Sequence, residues 1–266
     1  MSERFDDGSA GDANYGAIGR DYSRYRRPDP SVASLIKNAL WPARTILNVG
    51  AGAGSYEPID LQVTAVEPSA SMRAQRPAHL PPAIMGVAEK LPFADGSFDA
   101  GMATFTVHQW QDLTQGLKEM RRVIHGPIVI LTCDPDELGK SWLNDYAPEM
   151  IAVEAKRYPS LTTLAAALGD NVVVNPVPIP LRCSDGFGEA YYGRPEALLD
   201  PGARLACSAW SFVPAAVAER FVRDLSRDLA SGAWDARYGH LRTQPSFHGS
   251  LKLIIGRGED SPSPAV

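Results

Sequence analysis

The chain has 266 residues, which suits one α/β core with an insertion better than two domains. A formal net charge of −5 argues against a non-specific nucleic-acid or membrane-surface binder, and 44% apolar residues fit an ordinary globular protein. The three scattered cysteines, Cys133, Cys183 and Cys207, lack both even number and C-x-x-C spacing. They read as buried thiols in a reduced cytoplasm, with no metal site. No apolar run reaches membrane-spanning length and no basic-then-apolar leader is visible, so a cytoplasmic protein without membrane contact is expected.

Residues 1–14 are polar and rich in Gly, Asp and Ser, the composition of a disordered tail. The basic cluster Arg20 to Arg27 holds the aromatic-basic segment Tyr22-Ser23-Arg24-Tyr25-Arg26 and ends at Pro28 and Pro30. Ser31 can cap a helix with Val32, Leu35, Ile36 and Leu40 on one face. A strand over Thr45–Val49 runs straight into Gly50-Ala51-Gly52-Ala53-Gly54. Alternating Leu61–Glu67 predicts a second strand, stopped by Pro68, with Ser69 capping a short helix that contains Met72. Ala83–Met85 and Phe98–Thr104 are the third and fourth strands, and Asp112 caps a helix carrying Leu113, Leu117, Met120 and Ile124. Ile128–Leu131 is an unbroken apolar run, as in a strand covered on both faces.

Strands alternating with helices imply βαβ units and a parallel sheet. Beyond Cys133 the rhythm changes. Residues 134–169 are mostly helical by pattern, broken at Pro159, restarted by Ser160 and ended by Gly169. Val172–Val177 reads as a strand, and Arg182–Trp210 is rich in aromatics and turn formers. The clearest amphipathic helix spans Pro214 to Ala230, with Val217, Phe221, Leu225 and Leu229 in register and Gly232 after its end. Ser250–Ile255 is the last strand, before a Ser/Pro-rich loose tail at 257–266.

Alternate glycines directly after a strand let a ligand approach the backbone, since no Cβ intervenes and φ > 0 is permitted. The spacing alone leaves two readings. A dinucleotide fold wants G-x-G-x-x-G/A, which Ser55 breaks, whereas Gly50, Gly52 and Gly54 give G-x-G-x-G. Glu67, at the end of the second strand, is placed to accept both hydroxyls of a ribose; equally, it could be a solvated acid at a helix start.

Gly86-Val87-Ala88-Glu89-Lys90-Leu91-Pro92-Phe93-Ala94-Asp95-Gly96-Ser97-Phe98-Asp99 decides between them. With the glycine loop and Val66-Glu67-Pro68-Ser69, it resembles the type 11 family of class I S-adenosylmethionine-dependent methyltransferases. Tyr22 to Arg26 resembles that family's N-terminal segment, and Tyr191 to Pro201 with Ser231 to Arg242 resembles a small-molecule branch. The resemblance implies a doubly wound, mostly parallel, seven-stranded Rossmann-like sheet with a mainly helical cap inserted after strand five. It divides the single domain into a cofactor half (15–133), a cap and last helix (134–248) and a final strand (249–256).

It further implies S-adenosylmethionine as cofactor, S-adenosylhomocysteine as product, and a small-molecule methyl acceptor, in a monomer or homodimer that binds no nucleic acid. By resemblance, Tyr22, Arg26, Asn48, Gly50, Gly52, Gly54, Glu67, Pro68, Met72, Ala88, Glu89 and Thr104 bind the cofactor, with Leu91 adding apolar contact. Tyr22 and Arg26 are one helical turn apart, so they can fold over the site with Arg26 meeting the cofactor's carboxylate; equally, Arg26 could form a surface ion pair. Two positions depart from the pattern: Asn48 stands where the family's first motif starts with Asp or Glu, and Val87 where it often has Asp. After strand four, Thr104 to Trp110 passes between cofactor and acceptor.

His108 there suits a general base, or a histidine that only hydrogen-bonds a lid loop. Trp110, Tyr191 and Tyr192 are expected to bind substrate, with Asp185, Trp210 and His240 nearby; the same aromatics would also serve as a small hydrophobic core. The rival readings are an NAD(P)-dependent oxidoreductase and a non-catalytic cofactor-binding protein of the same fold.

Overall fold

The computed structural model describes residues 22–169 and 171–258. The expected 1–14 tail, Arg20, and all but two residues of the 257–266 tail lie outside the described residues. The strands are β1 (Thr45–Val49), β2 (Gln62–Val66), β3 (Ala100–Thr104), β4 (Ile128–Cys133), β5 (Val172–Pro176), β6 (Ile179–Pro180), β7 (Ser246–Phe247) and β8 (Leu251–Gly256). Six of them form one sheet in the order β2-β1-β3-β4-β8-β5, and β6 pairs with β7 apart from it. β1 to β4 run parallel, and β8 is antiparallel to both β4 and β5.

Among the described residues the sheet is therefore mixed and has six strands, against the expected seven. The missing one is Ala83–Met85, which contributes only a parallel bridge between Ile84 and Val66. Ile84 N–H donates to Ala65 O (2.8 Å) and Glu67 N–H donates to Ile84 O (3.0 Å). Pro81 and Pro82 bring no N–H to a ladder, which keeps this edge to one residue pair.

The helices are α1 (Tyr22–Tyr25), α2 (Pro30–Leu40), α3 (Ala70–Ala74), α4 (Leu113–Val123), α5 (Leu143–Tyr146), α6 (Pro148–Arg157), α7 (Leu161–Leu168), α8 (Pro201–Leu205), α9 (Ala215–Ser231) and α10 (Ala233–Tyr238). Asp29, not Ser31, caps α2: its carboxylate accepts from Ser31 N–H (2.9 Å) and Pro30 takes the first helical position. Leu35, expected on the buried face, is exposed. Asp112, Ser69 and Ser160 cap α4, α3 and α7 as expected, and Gly232 ends α9 in the left-handed conformation.

Side chains alternate across β4, where Val129 and Leu131 face a core with α2 and the cap while Ile128 and Ile130 face a second core with α4 and α7. Both faces are covered, which accounts for the unbroken apolar run. The cap comes in two stretches. One carries α5 and α6 between β4 and α7; the other runs from β6 to β7 and carries α8, α9 and α10. Between them α7 and β5 return to the main layers, where β5 pairs with β8 at the sheet edge.

Candidate functional site

In a doubly wound sheet ligands gather beyond the carboxyl ends of the strands. There a cavity of about 680 Å³ is lined by the glycine loop after β1, Glu67 and Pro68 after β2, Thr104 to Thr106 after β3, and Tyr22 and Arg26 of the N-terminal segment. Met72, Val87, Ala88, Glu89 and Trp110 also line it.

All three loop glycines have positive φ: +69° at Gly50, +52° at Gly52 and +92° at Gly54. They do different work. A Cβ at Gly50 would lie 2.0 Å from Thr106 Oγ1 and 2.9 Å from its Cβ, which closes that position, whereas one at Gly54 would meet the movable end of Leu80, Cδ1 at 2.3 Å. At Gly52 the nearest atom would be Met72 Cε at 3.3 Å. Gly52 is thus the open face of the loop.

Glu67 holds this loop in shape. Its Oε2 accepts from Gly52 N–H (2.8 Å) and its Oε1 from Ser69 N–H (2.8 Å), which also starts α3. The carboxylate lines the cavity while it does so. Glu89 lines it too, with its side chain accepting from Asp112 N–H (3.1 Å) at the start of α4.

Asn48 does not reach the cavity, contrary to expectation. It is fully buried behind the loop and donates to Glu57 Oε1 (2.9 Å). Glu57 in turn forms a two-pronged ion pair with Arg76 (2.9 and 2.8 Å). The carboxylate absent from the first position of the glycine motif is thereby present nearby, supplied by a residue nine positions downstream in a buried pair. Leu91 is likewise core rather than lining.

Arg26 lines the cavity, but its guanidinium is engaged by the cap rather than pointing to a free anion site. Nε donates to Asp185 Oδ1 (2.5 Å) and Nη2 to Asp185 Oδ2 (3.4 Å), while the rings of Phe105 and Tyr22 lie 4.9 and 5.5 Å from its charged carbon. Burial opposes the Arg26 charge, but Asp185, with smaller help from Tyr22 and Cys207, more than offsets it and holds the group protonated. Tyr56 O–H also donates to Asp185 (2.8 Å), and burial pushes its phenol far up. Tyr56 and Phe105 are non-glycine residues at positive φ, 64° and 51°, both on the cavity wall. Such backbone strain persists only where surrounding contacts impose it.

Behind Phe105 lies a second, smaller chamber of about 50 Å³. Tyr22, Arg26, Phe105 and Gln109 line both spaces, so the two adjoin. His108 belongs to the inner chamber, its ring centroid 4.4 Å from that of Tyr158. Cys133, Glu154, Glu189 and Cys207 line it as well. Burial lifts the Cys207 thiol to about 12 and the Glu189 carboxyl to about 7, the latter against two hydrogen bonds from Ser250.

Tyr191 and Tyr192, expected to bind substrate, line neither space. Both are cap core: Tyr192 stacks on Phe247 at 5.1 Å and donates to Gln244 O (2.7 Å), and the Arg194 guanidinium lies over Tyr191. Trp210 packs on Phe221, and His240 is an exposed residue on the far turn. Trp110 does line the outer cavity, with its ring against Gly116. Sequence reasoning missed Tyr56, Tyr158 and Glu189, since nothing local marks a residue that only folding brings to a chamber.

Comparison with known proteins agrees with this architecture. The methyltransferase domain model matches residues 47–127, which run from β1 to just before β4. A solved candidate methyltransferase from an antibiotic biosynthesis pathway of Anabaena variabilis is 31% identical, with a TM-score of 0.82 over 88% of this chain and 99% of that one. The chain belongs to the S-adenosylmethionine-dependent methyltransferases. A demethylmenaquinone methyltransferase of Porphyromonas gingivalis is 35% identical over 113 residues, 38% of this chain and 44% of that enzyme. The match therefore spans less than half of that curated relative. An S-adenosylmethionine-dependent methyltransferase structure from Thermotoga maritima shares the fold, with a TM-score of 0.52 at 18% identity.

The residues of this methyltransferase fit its family's cofactor. Gly52 leaves a gap on the loop that a side chain would fill, beside Met72. A carboxylate offers about four acceptor sites, so Glu67 can meet a ribose diol while it keeps its loop amides. Met72, Val87 and Trp110 supply apolar walls for a flat base.

Proposed function

We propose that the protein moves a methyl group to an O, N or C atom of a small metabolite, with S-adenosylhomocysteine as second product. The observation that carries this reading is the pair of adjoining spaces: a large cavity against the glycine loop and Glu67, and a small inner chamber reached past Phe105 and Gln109. When bound, the cofactor supplies an electrophilic methyl on a sulfonium. Gly50, Gly52, Gly54, Glu67, Pro68, Met72, Ala88, Glu89 and Thr104 would hold it, with Tyr22 closing the outer side.

The remaining task of the chain is to orient the acceptor and exclude water. Phe105 and Gln109, with Tyr22 and Arg26, form the partition between the two compartments, and Trp110 is wall of the outer one. Where the acceptor must lose a proton, His108 in the inner chamber is the base proposed to take it. Asp185 keeps Arg26 folded over the entrance.

Titration calorimetry of the purified protein with S-adenosylhomocysteine tests the reading. Binding is expected for the wild type and is expected to be lost in Glu67→Ala and Gly52→Val. A wild type that does not bind at millimolar ligand would overturn it.

A further inference from the structure

The inner chamber answers its own charges. Of the residues that line it, Arg26, Glu154 and Glu189 are of types ionised in water at neutral pH. Arg26 is tied to Asp185 at 2.5 Å and Glu154 faces Arg157 at 3.7 Å, with the side chains of both pairs largely buried. Glu189 accepts two hydrogen bonds from Ser250 (2.9 and 2.7 Å), and burial lifts its carboxyl to about 7. The same burial pushes the thiols of Cys133 and Cys207 and the phenol of Tyr158 up, so these groups stay neutral too. An ion brought into this space would lose its water and meet only counter-charges already engaged, which is the costly way to bury a charge.

The remaining walls set a size. Leu138, Leu143, Met150, Ile151 and Phe187 are each at most 6% exposed and line the chamber. One water-sized group needs about 10–15 Å³ of such space, so a volume of about 50 Å³ takes about three to five non-hydrogen atoms, fewer than a benzene ring. Phe105 lines both spaces, with its backbone held at φ 51° and its ring 5.4 Å from that of Phe187. A bulkier body stays on the outer side of it, where the cavity has about 680 Å³.

We propose that the inner chamber takes an uncharged end of the methyl acceptor, alkyl or hydroxyalkyl, of about three to five non-hydrogen atoms. The inference rests on the methyl-transfer reading only in calling that molecule the acceptor; selection by charge and size belongs to the chamber itself. It excludes a carboxylate, a phosphate or a protonated amine from this end of the molecule.

Methionine supplies a reporter in each space, since Met72 lines the outer cavity and Met150 the inner chamber. Protein carrying 13C at its methionine methyls, with the two signals assigned by Met72→Leu and Met150→Leu, is titrated with propan-2-ol, propan-2-ylammonium and acetate. The three probes are alike in size, and none is long enough to leave its charge outside while its carbon enters. The alcohol is expected to move the Met150 signal at a concentration at least about tenfold below either ion. Cyclohexanol is expected to leave that signal in place in the wild type and to move it in Ile151→Ala, where three carbons of the wall are gone. A melting curve on each variant separates lost folding from changed binding. Should the alanine variant not fold, Ile151→Val with cyclopentanol carries the size test.

An ion that moves the Met150 signal as readily as the alcohol, an alcohol that leaves it in place, or cyclohexanol that reaches it in the wild type would each overturn the proposal. S-adenosylhomocysteine is expected to move the Met72 signal. Its failure to do so would overturn the methyl-transfer reading, while the chamber's selection is still read at Met150.

Discussion

At the scale of single residues, the three loop glycines are chemically alike and structurally unlike. Gly50→Ala pairs a strained backbone with a clash against Thr106, where even the Cβ would be 2.9 Å away. It is expected to cost at least about 2 kcal/mol of stability, read as a lower melting temperature. Gly52→Ala carries the backbone strain alone, about 1 kcal/mol. It is expected to fold and to bind S-adenosylhomocysteine more weakly, because its methyl group enters the space meant for ligand.

Glu189 makes a different residue-scale claim, about pH. Burial raises its carboxyl to about 7 in the folded protein, above the ordinary carboxylate range. Between those values the unfolded chain has released the proton and the folded chain keeps it, so stability drains away as pH rises through that window. Relative to Glu189→Gln, the wild type is expected to lose on the order of 3 kcal/mol between pH 4 and pH 8. Urea titrations of both proteins across that range check it; parallel curves would remove the argument.

At the scale of elements, β1, the glycine loop and α3 are locked from behind by Asn48, Glu57 and Arg76. The Glu57–Arg76 side chains are 1% and 3% exposed, so removing one partner strands a buried charge. Arg76→Met is expected to cost about 3–5 kcal/mol, and Glu57→Gln added to it is expected to return part of that loss. Denaturant melts of the single and double variants measure both numbers.

The motif made these elements legible: positive-φ glycines after a strand, an acid ending the next strand and a capping serine were all read in place. The motif position of Asn48 implies a ligand contact, whereas the residue is fully buried and bonds Glu57. Ala83–Met85 has a strand's apolar pattern but makes one bridge, because Pro81 and Pro82 before it bring no N–H to a ladder. Leu35 has the spacing of a buried helix face but is exposed.

At the scale of the whole molecule, Asp185 joins three distant stretches. It accepts from Arg26 of the N-terminal segment and from Tyr56 after the glycine loop, while belonging to the cap itself. Next to it, Ser184 N–H donates to Asp29 (3.1 Å) and Gly186 N–H donates to Tyr25 O (2.9 Å). Asp185→Asn leaves the Arg26 charge without its counter-ion. Residues 22–29 are expected to exchange amide hydrogens at least about tenfold faster while β4 is unaffected. Equal protection in both proteins would show that the backbone bonds hold the segment without the charge. No sequence pattern marks this junction, because its members lie 129 and 159 residues apart. The inner chamber was hidden for the same reason: a strand end, two cap helices and a turn converge on it only once the chain is folded.

The interruption of the cap by α7 and β5 bears on how the protein can change. A lid made from one continuous insert could be exchanged between relatives as a cassette spliced at a single pair of joints. Here the chain leaves the sheet, returns to lay down an edge strand, and leaves again, so the roof over the inner chamber is stitched at four joints. Glu154 comes from the first stretch and Glu189 from the second, on opposite sides of that edge strand in sequence. A graft of either stretch alone would therefore bring half a chamber. New acceptor preference in this lineage is expected to arise by point substitution within the chamber, not by recombination of whole lids.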